Sequence, residues 1–155
     1  MRNSYLIILI LFFQLTIGNA QRADLRLETD DNKVEIPFEY VNNFIVVEVI
    51  FNNLLPLKFI FDTGAEYTLL TKKEITDLFL VNYDKRFEVL GSDMETVLYA
   101  YLARGVNMRM NEFSALNRSI LVLEEDYFRF EKYAGIEVQG ILGADIFSRF
   151  VVQID

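Results

Sequence analysis

From Val34 onward, short apolar runs alternate with compact polar breaks, a rhythm of strands rather than helices. Residues 44–51 (FIVVEVIF) are almost all apolar, which predicts a strand covered on both faces. Asn52-Asn53 marks a turn, Pro56 restarts the chain, and residues 57–61 (LKFIF) form the partner strand. After Asp62-Thr63-Gly64-Ala65, residues 67–70 read as another short strand. Thr71-Lys72-Lys73-Glu74 has the S/T-x-x-E form of a capping box, with Ile75, Leu78 and Phe79 behind it at helical spacing. A short helix is predicted there.

Residues 87–90 and 94–103 flank Gly91-Ser92-Asp93 as a hairpin would. Val106, Met108 and Met110 alternate with polar residues as a half-buried strand, and residues 119–123 (SILVL) form one more. Residues 124–133 are charged and aromatic, a loop or short helix. Gly140-Ile141-Leu142-Gly143 is an apolar run bracketed by glycines. Asp145 suits the N-cap of a short helix carrying Ile146, Phe147 and Phe150, and residues 151–154 close as a strand. The pattern amounts to about eight strands with two short helices, a small all-β barrel-like domain.

The first 33 residues are different. Arg2, the apolar run over residues 5–17 and Gly18-Asn19-Ala20 have the layout of an export signal, residues 1–20. The run is shorter than the roughly 18 residues a membrane span needs, although a retained anchor is the alternative. Residues 21–33 read as a polar N-terminal tail, and the domain as residues 34–155. Asp30-Asp31-Asn32 lacks the spaced oxygen donors of a calcium loop and reads as a solvated turn.

Composition narrows the chemistry. The formal net charge is −8, and loss of Arg2 with the signal takes it to about −9. That acidity argues against nucleic acid and against anionic membranes as partners. There is no cysteine and no histidine. An exported chain of this kind gains no disulfide, and Ser-His, Cys-His and His-ligated zinc chemistry are excluded. Any acid–base work falls to carboxylates, lysines or tyrosines, and no metal or cofactor is called for.

Asp62 stands where an apolar strand runs into a tight turn. Taken alone, it is either a turn-capping aspartate or a catalytic one. The order of an apolar strand ending in Asp62-Thr63-Gly64-Ala65, a helix-sized segment, a glycine-tipped hairpin and a late Ile141-Leu142-Gly143 resembles the retropepsin-like aspartic proteases. The closest likeness is to the exported bacterial members with a single such domain. The resemblance covers residues 38–155 and implies a small retropepsin-like acid-protease barrel carrying half of a pepsin-type site per chain.

By that resemblance Asp62 is the catalytic carboxylate, and Thr63, Gly64 and Ala65 support its loop. Ile141, Leu142 and Gly143 form the second motif, wrapped beside that loop, and Gly91, Ser92 and Asp93 are the flap candidates. The reaction implied is hydrolysis of peptide bonds by a water activated between two aspartates. Only Asp62 is followed by Thr or Ser and then Gly, so the resemblance implies a homodimer with one Asp62 from each copy.

Departures temper the match. Glu66 stands where retroviral members often carry an acidic residue paired with an arginine after the second glycine. Here that position is Ala144; Arg149 is a substitute, or Glu66 faces solvent or a substrate backbone amide. The chain stops at Gln153-Ile154-Asp155, within what resembles a closing strand, which leaves a C-terminally truncated fragment open. Tyr99 and Tyr101 read as packing residues. Asn117-Arg118-Ser119 is either a glycosylation sequon or a polar turn before a strand. The function expected is an aspartic endopeptidase acting on a peptide or protein in a periplasmic or extracellular compartment. The alternative is a non-catalytic peptide-binding or scaffold module on the same barrel.

Overall fold

The computed structural model describes residues 24–91 and 93–155. The expected signal (residues 1–20), the start of the tail and Ser92 lie outside the described residues. The elements run β1 (Asp24–Leu27), β2 (Phe38–Val41), β3 (Phe44–Phe51), β4 (Leu55–Phe61), β5 (Leu69–Leu70) and α1 (Lys73–Leu78). There follow β6 (Asn82–Leu90), β7 (Val97–Met110), β8 (Phe113–Leu123), α2 (Phe130–Ala134), β9 (Gly140–Leu142) and α3 (Ala144–Phe147).

All of the described strands share one sheet, and the sheet closes on itself. The path β8–β5–β9–β4–β3–β7 returns to β8 through a β7–β8 pairing, while β1, β2 and β6 extend β8, β3 and β7 from outside the ring. Closure removes edges from the central strands and encloses their apolar side chains. Phe51, Phe59, Leu70, Met108, Met110, Ile120, Leu142 and Ile146 are fully buried there. Each such side chain contributes roughly 1.5–3 kcal/mol by leaving water.

Local chemistry explains the turns. Asn42-Asn43 and Asn52-Asn53 all take positive φ, the conformation a tight hairpin requires and one that asparagine tolerates. The first pair joins β2 to β3, the second β3 to β4. Phe79, just past α1, packs edge-on to Phe51 at 5.5 Å and ties the helix to the barrel.

Several expectations are corrected. The polar tail contains β1, in which Leu25 and Leu27 alternate with Asp24 and Arg26 and pair with β8. The run at 94–103 and the alternation at 106–110 are one strand, β7, and Met94 belongs to the hairpin tip. Residues 67 and 68 precede β5 rather than belonging to it, and residues 151–155 form no strand. The capping box does not form: α1 starts after Lys72 without a side-chain cap, and Thr71 Oγ1 instead donates to the Gln139 carbonyl. Leu78 faces solvent. Asn117-Arg118-Ser119 is neither a turn nor a loop but part of β8. Tyr101 packs on Tyr83 at 5.1 Å and Tyr99 lies under the Arg86 guanidinium, the packing roles expected of them.

Candidate active site

β4 delivers Asp62. Its partner is β9, which runs parallel to it with Phe59 opposite Gly140, Ile60 opposite Ile141 and Phe61 opposite Leu142. The ladder continues one residue further, because the Asp62 N–H donates to the Leu142 carbonyl at 3.0 Å. The two motifs separated in sequence are therefore side by side. Beyond Asp62 the chain turns: Gly64 N–H donates to Asp62 Oδ1 at 2.8 Å and Ala65 N–H to the Asp62 carbonyl at 3.2 Å. A Cβ at Gly64 would sit 3.1 Å from Asp62 Oδ1, so glycine leaves the carboxylate its place.

Asp62, Thr63 and Gly64 are exposed and Ala65 is half-buried, whereas Ile141, Leu142 and Gly143 are buried. The carboxylate thus sits on open surface over a packed foundation. A cavity of about 450 Å³ includes Phe61, Phe147 and Phe150 among its lining residues but not Asp62.

A second set of bonds fixes the loop from behind. Ala144 N–H donates to the Ala65 carbonyl at 2.8 Å and Asp145 N–H to the Glu66 carbonyl at 3.3 Å. Asp145 Oδ1 accepts from both Thr68 N–H (2.9 Å) and Thr68 Oγ1 (2.8 Å), and Thr68 Oγ1 accepts from Gly143 N–H at 3.0 Å. Asp145 is therefore not the N-cap expected of it. Gly143 holds that position, and the carboxylate reaches across to Thr68, on the segment that leads from the Asp62 turn into β5. The approach is close enough that a Cβ on Gly143 would stand 2.5 Å from the Tyr67 carbonyl carbon.

Of the alternatives open for Glu66, the solvent-facing one holds rather than a pairing with Arg149. Arg149 is exposed, and Glu66 faces solvent, its carboxylate holding the neighbouring Tyr67 phenol above its ordinary pKa by a hydrogen bond. The cation that approaches is Arg118 of β8, 3.5 Å from Asp145 Oδ2 with Nη2 donating to the Asp145 carbonyl at 3.3 Å. Sequence reasoning missed Thr68 and Arg118. The available signal was their polarity inside otherwise apolar runs, which names no partner.

Of the flap candidates, Gly91 and Asp93 lie at the tip of the β6–β7 hairpin, with Gly91 N–H donating to the Thr96 carbonyl at 2.7 Å. The Asp93 carboxylate accepts from the Thr96 hydroxyl and from the Thr96 and Glu95 N–H groups. Those bonds, led by the Thr96 hydroxyl, bring its pKa down to about 2. Leu90, Met94 and Val97 are exposed around it. Among the described residues no His, Cys, Asp or Glu cluster could hold a metal ion.

A family model described as aspartyl protease matches residues 47–146, the span from β3 through the second motif. The chain belongs to the aspartyl protease family. Its fold is that of the retropepsin-like members: it is similar to the crystal structure of a retropepsin-like aspartic protease from Rickettsia conorii, with a TM-score of 0.51. The two are 18% identical, over 86% of this chain and 89% of that one. No match was found among curated protein sequences. Within the aspartyl protease fold, Asp62 occupies the loop between β4 and β5, and Ile141-Leu142-Gly143 is the strand packed beside it.

Proposed function

We propose that this aspartyl protease is an endopeptidase that works as a homodimer, one Asp62 from each copy sharing the catalytic water. The observation that carries the reading is Asp62 itself: an ionisable group rigidly anchored by β9 and Gly64, yet left exposed. A structural carboxylate in so constrained a turn would be expected to face a cation or a helix end. This one is presented outward.

A single copy supplies half of what the chemistry needs. Two carboxylates about 3 Å apart cannot both ionise, so one is the general base on water while the other donates to the scissile carbonyl oxygen. Asp145, the aspartate next to the second motif, is committed to Thr68 and Arg118. The second carboxylate must then come from a second copy about a two-fold axis, with Thr63 facing across it. No covalent intermediate arises, so the absence of histidine and cysteine is no obstacle.

The substrate is an extended peptide, with the β6–β7 hairpin closing over it. The N-terminal pattern supports export to a periplasmic or extracellular compartment, with residues 1–20 as a cleaved signal. The test is Asp62→Asn against a diverse peptide library, with sedimentation of the parent in parallel. Cleavage by the parent at dimer-forming concentrations and none by the variant is expected. Cleavage that survives the substitution, or that persists where only monomer sediments, would overturn the proposal. Peptide binding by the parent without any cleavage would establish a binding module instead.

A further inference from the structure

Arg118 is a basic side chain on a barrel strand, with only 17% of its side chain exposed. Its Nε finds no hydrogen-bond partner among the described residues. A cation withdrawn from water on those terms needs a reason, because burial penalises the charge unless something opposes it. Its neighbours supply one. The Asp145 carboxylate, 15% exposed, lies 3.5 Å away, and the Asp145 carbonyl accepts from Nη2.

The strand is shaped around this residue. Between Ala103/Ile120 and Val106/Arg118 the β7–β8 register gains a residue on β7. Between Val106/Arg118 and Met108/Ala115 it gains one on β8. Two compensating bulges therefore flank Arg118, with Gly105 (φ +75°) and Asn117 (φ +50°) at positive φ within them. Bulges re-aim side chains, and this pair leaves the register before and after them intact. Only the residues between are redirected.

We propose that Arg118 is a positioning residue for the Asp62 loop, acting through the Asp145 carboxylate. The guanidinium attracts Oδ2, which turns Oδ1 toward Thr68. Oδ1 then takes both Thr68 donors, so the lone pairs of Thr68 Oγ1 are turned to the Gly143 N–H. The Thr68–Gly143 bond closes the joint between the segment leading into β5 and the end of β9. Without the cation, only the Thr68 donors hold the carboxylate in that rotamer, and the joint opens more readily. The catalytic consequence rests on the endopeptidase reading above, since loss of about 1 Å of placement is enough to slow chemistry greatly.

The experiment compares Arg118→Met, Arg118→Lys and Asp145→Asn in the full chain, by amide hydrogen exchange and by peptide hydrolysis. In Arg118→Met, exchange at the Thr68 and Gly143 amides is expected to quicken about tenfold or more, while amides of β3 and the β3–β4 hairpin are unchanged. kcat is expected to fall about tenfold or more with KM within about twofold, and Arg118→Lys to restore most of both. Should Arg118→Met not fold, Asp145→Asn gives the same exchange readout, as its amide has no charge to orient. Unchanged exchange at Thr68 and Gly143 in a folded Arg118→Met or Asp145→Asn overturns the proposal, as does uniform loss of protection across the barrel. If exchange responds as expected but the parent cleaves nothing, the positioning role stands and the endopeptidase reading fails.

Discussion

Gly143→Ala is the sharpest test of how the site is built. An alanine Cβ there would lie 2.5 Å from the Tyr67 carbonyl carbon, 2.7 Å from its oxygen and 2.8 Å from Thr68 N. Ordinary carbon contacts begin near 3.5 Å, so the two segments must separate by roughly 1 Å. All three opposing atoms are backbone, which leaves no side chain to swing aside. The separation stretches Gly143 N–H to Thr68 Oγ1, Ala144 N–H to the Ala65 carbonyl and Asp145 N–H to the Glu66 carbonyl. Three bonds at about 0.5–1.5 kcal/mol each, partly weakened, together with about 1–3 kcal/mol of overpacking, give a loss of about 3–5 kcal/mol. That is a large fraction of the roughly 5–15 kcal/mol that holds a domain folded. Thermal unfolding followed by far-UV circular dichroism should show the midpoint falling by about 10 °C or more. Gly64→Ala is the control: its Cβ meets only the Asp62 side chain, Oδ1 at 3.1 Å and Cγ at 3.9 Å, which is able to rotate. It should cost less than about 1 kcal/mol of stability while turning the Asp62 carboxylate aside. If Gly143→Ala unfolds within about 1 kcal/mol of the parent, the close joint described here is wrong.

Thr68→Val keeps the shape but strips the hydroxyl, leaving Gly143 N–H without an acceptor and Asp145 Oδ1 with one donor fewer. A loss of about 2–4 kcal/mol in urea unfolding is expected, and less than about 1 kcal/mol would contradict the network. The hairpin tip should be acid-sensitive. Asp93 has its pKa lowered to about 2, so its tethering is complete above the ordinary aspartate value and is lost as pH falls through about 2. Amide shifts of Glu95 and Thr96 should titrate in that window and stay flat in Asp93→Asn; titration unaltered in that variant would exclude the carboxylate as the cause. Tyr127→Phe should move the Asp93 midpoint upward, since the phenol is one of the groups that hold it down. Phe59→Ala, a fully buried ring on the strand that delivers Asp62, should cost about 3–5 kcal/mol and is checked by the same unfolding assay.

The Asp62 turn was legible in the sequence because its signals are local: an apolar strand, an aspartate, a glycine that must be small. Ile141-Leu142-Gly143 was legible by likeness, and parallel pairing with β4 places it as that likeness implied. Features that depend on distant partners were not. The runs at 94–103 and 106–110 read as two strands, but Gly105 between them sits at positive φ in a bulge and β7 runs through it. β1 carries only two apolar residues, too few to stand out from a polar tail, and it exists because β8 offers it a partner. Asp145 had the composition of a helix cap, yet Thr68, across the sheet, offered two donors to one oxygen. Arg118 in a run of mixed polarity gave no hint that two bulges would turn it inward. Sequence reports what a segment prefers by itself, and each of these residues is placed by another segment.

The lodging of β9 between β4 and β5 also orders events in time. Hairpins such as β3–β4 and β7–β8 join neighbours in the chain and can form within microseconds, whereas the β4–β9 joint links Lys58 to Gln139, 81 residues apart. Closing that long loop must follow the hairpins that shorten it. The Asp62 turn therefore acquires its foundation late in folding, and pulse-labelled exchange should find the Asp62 and Thr71 amides protected after those of β3 and β7. Until β9 docks, the chain carries Asp62 without the strand that anchors it, and on the endopeptidase reading proposed above the nascent molecule is spared that chemistry while most of its backbone is still open to attack.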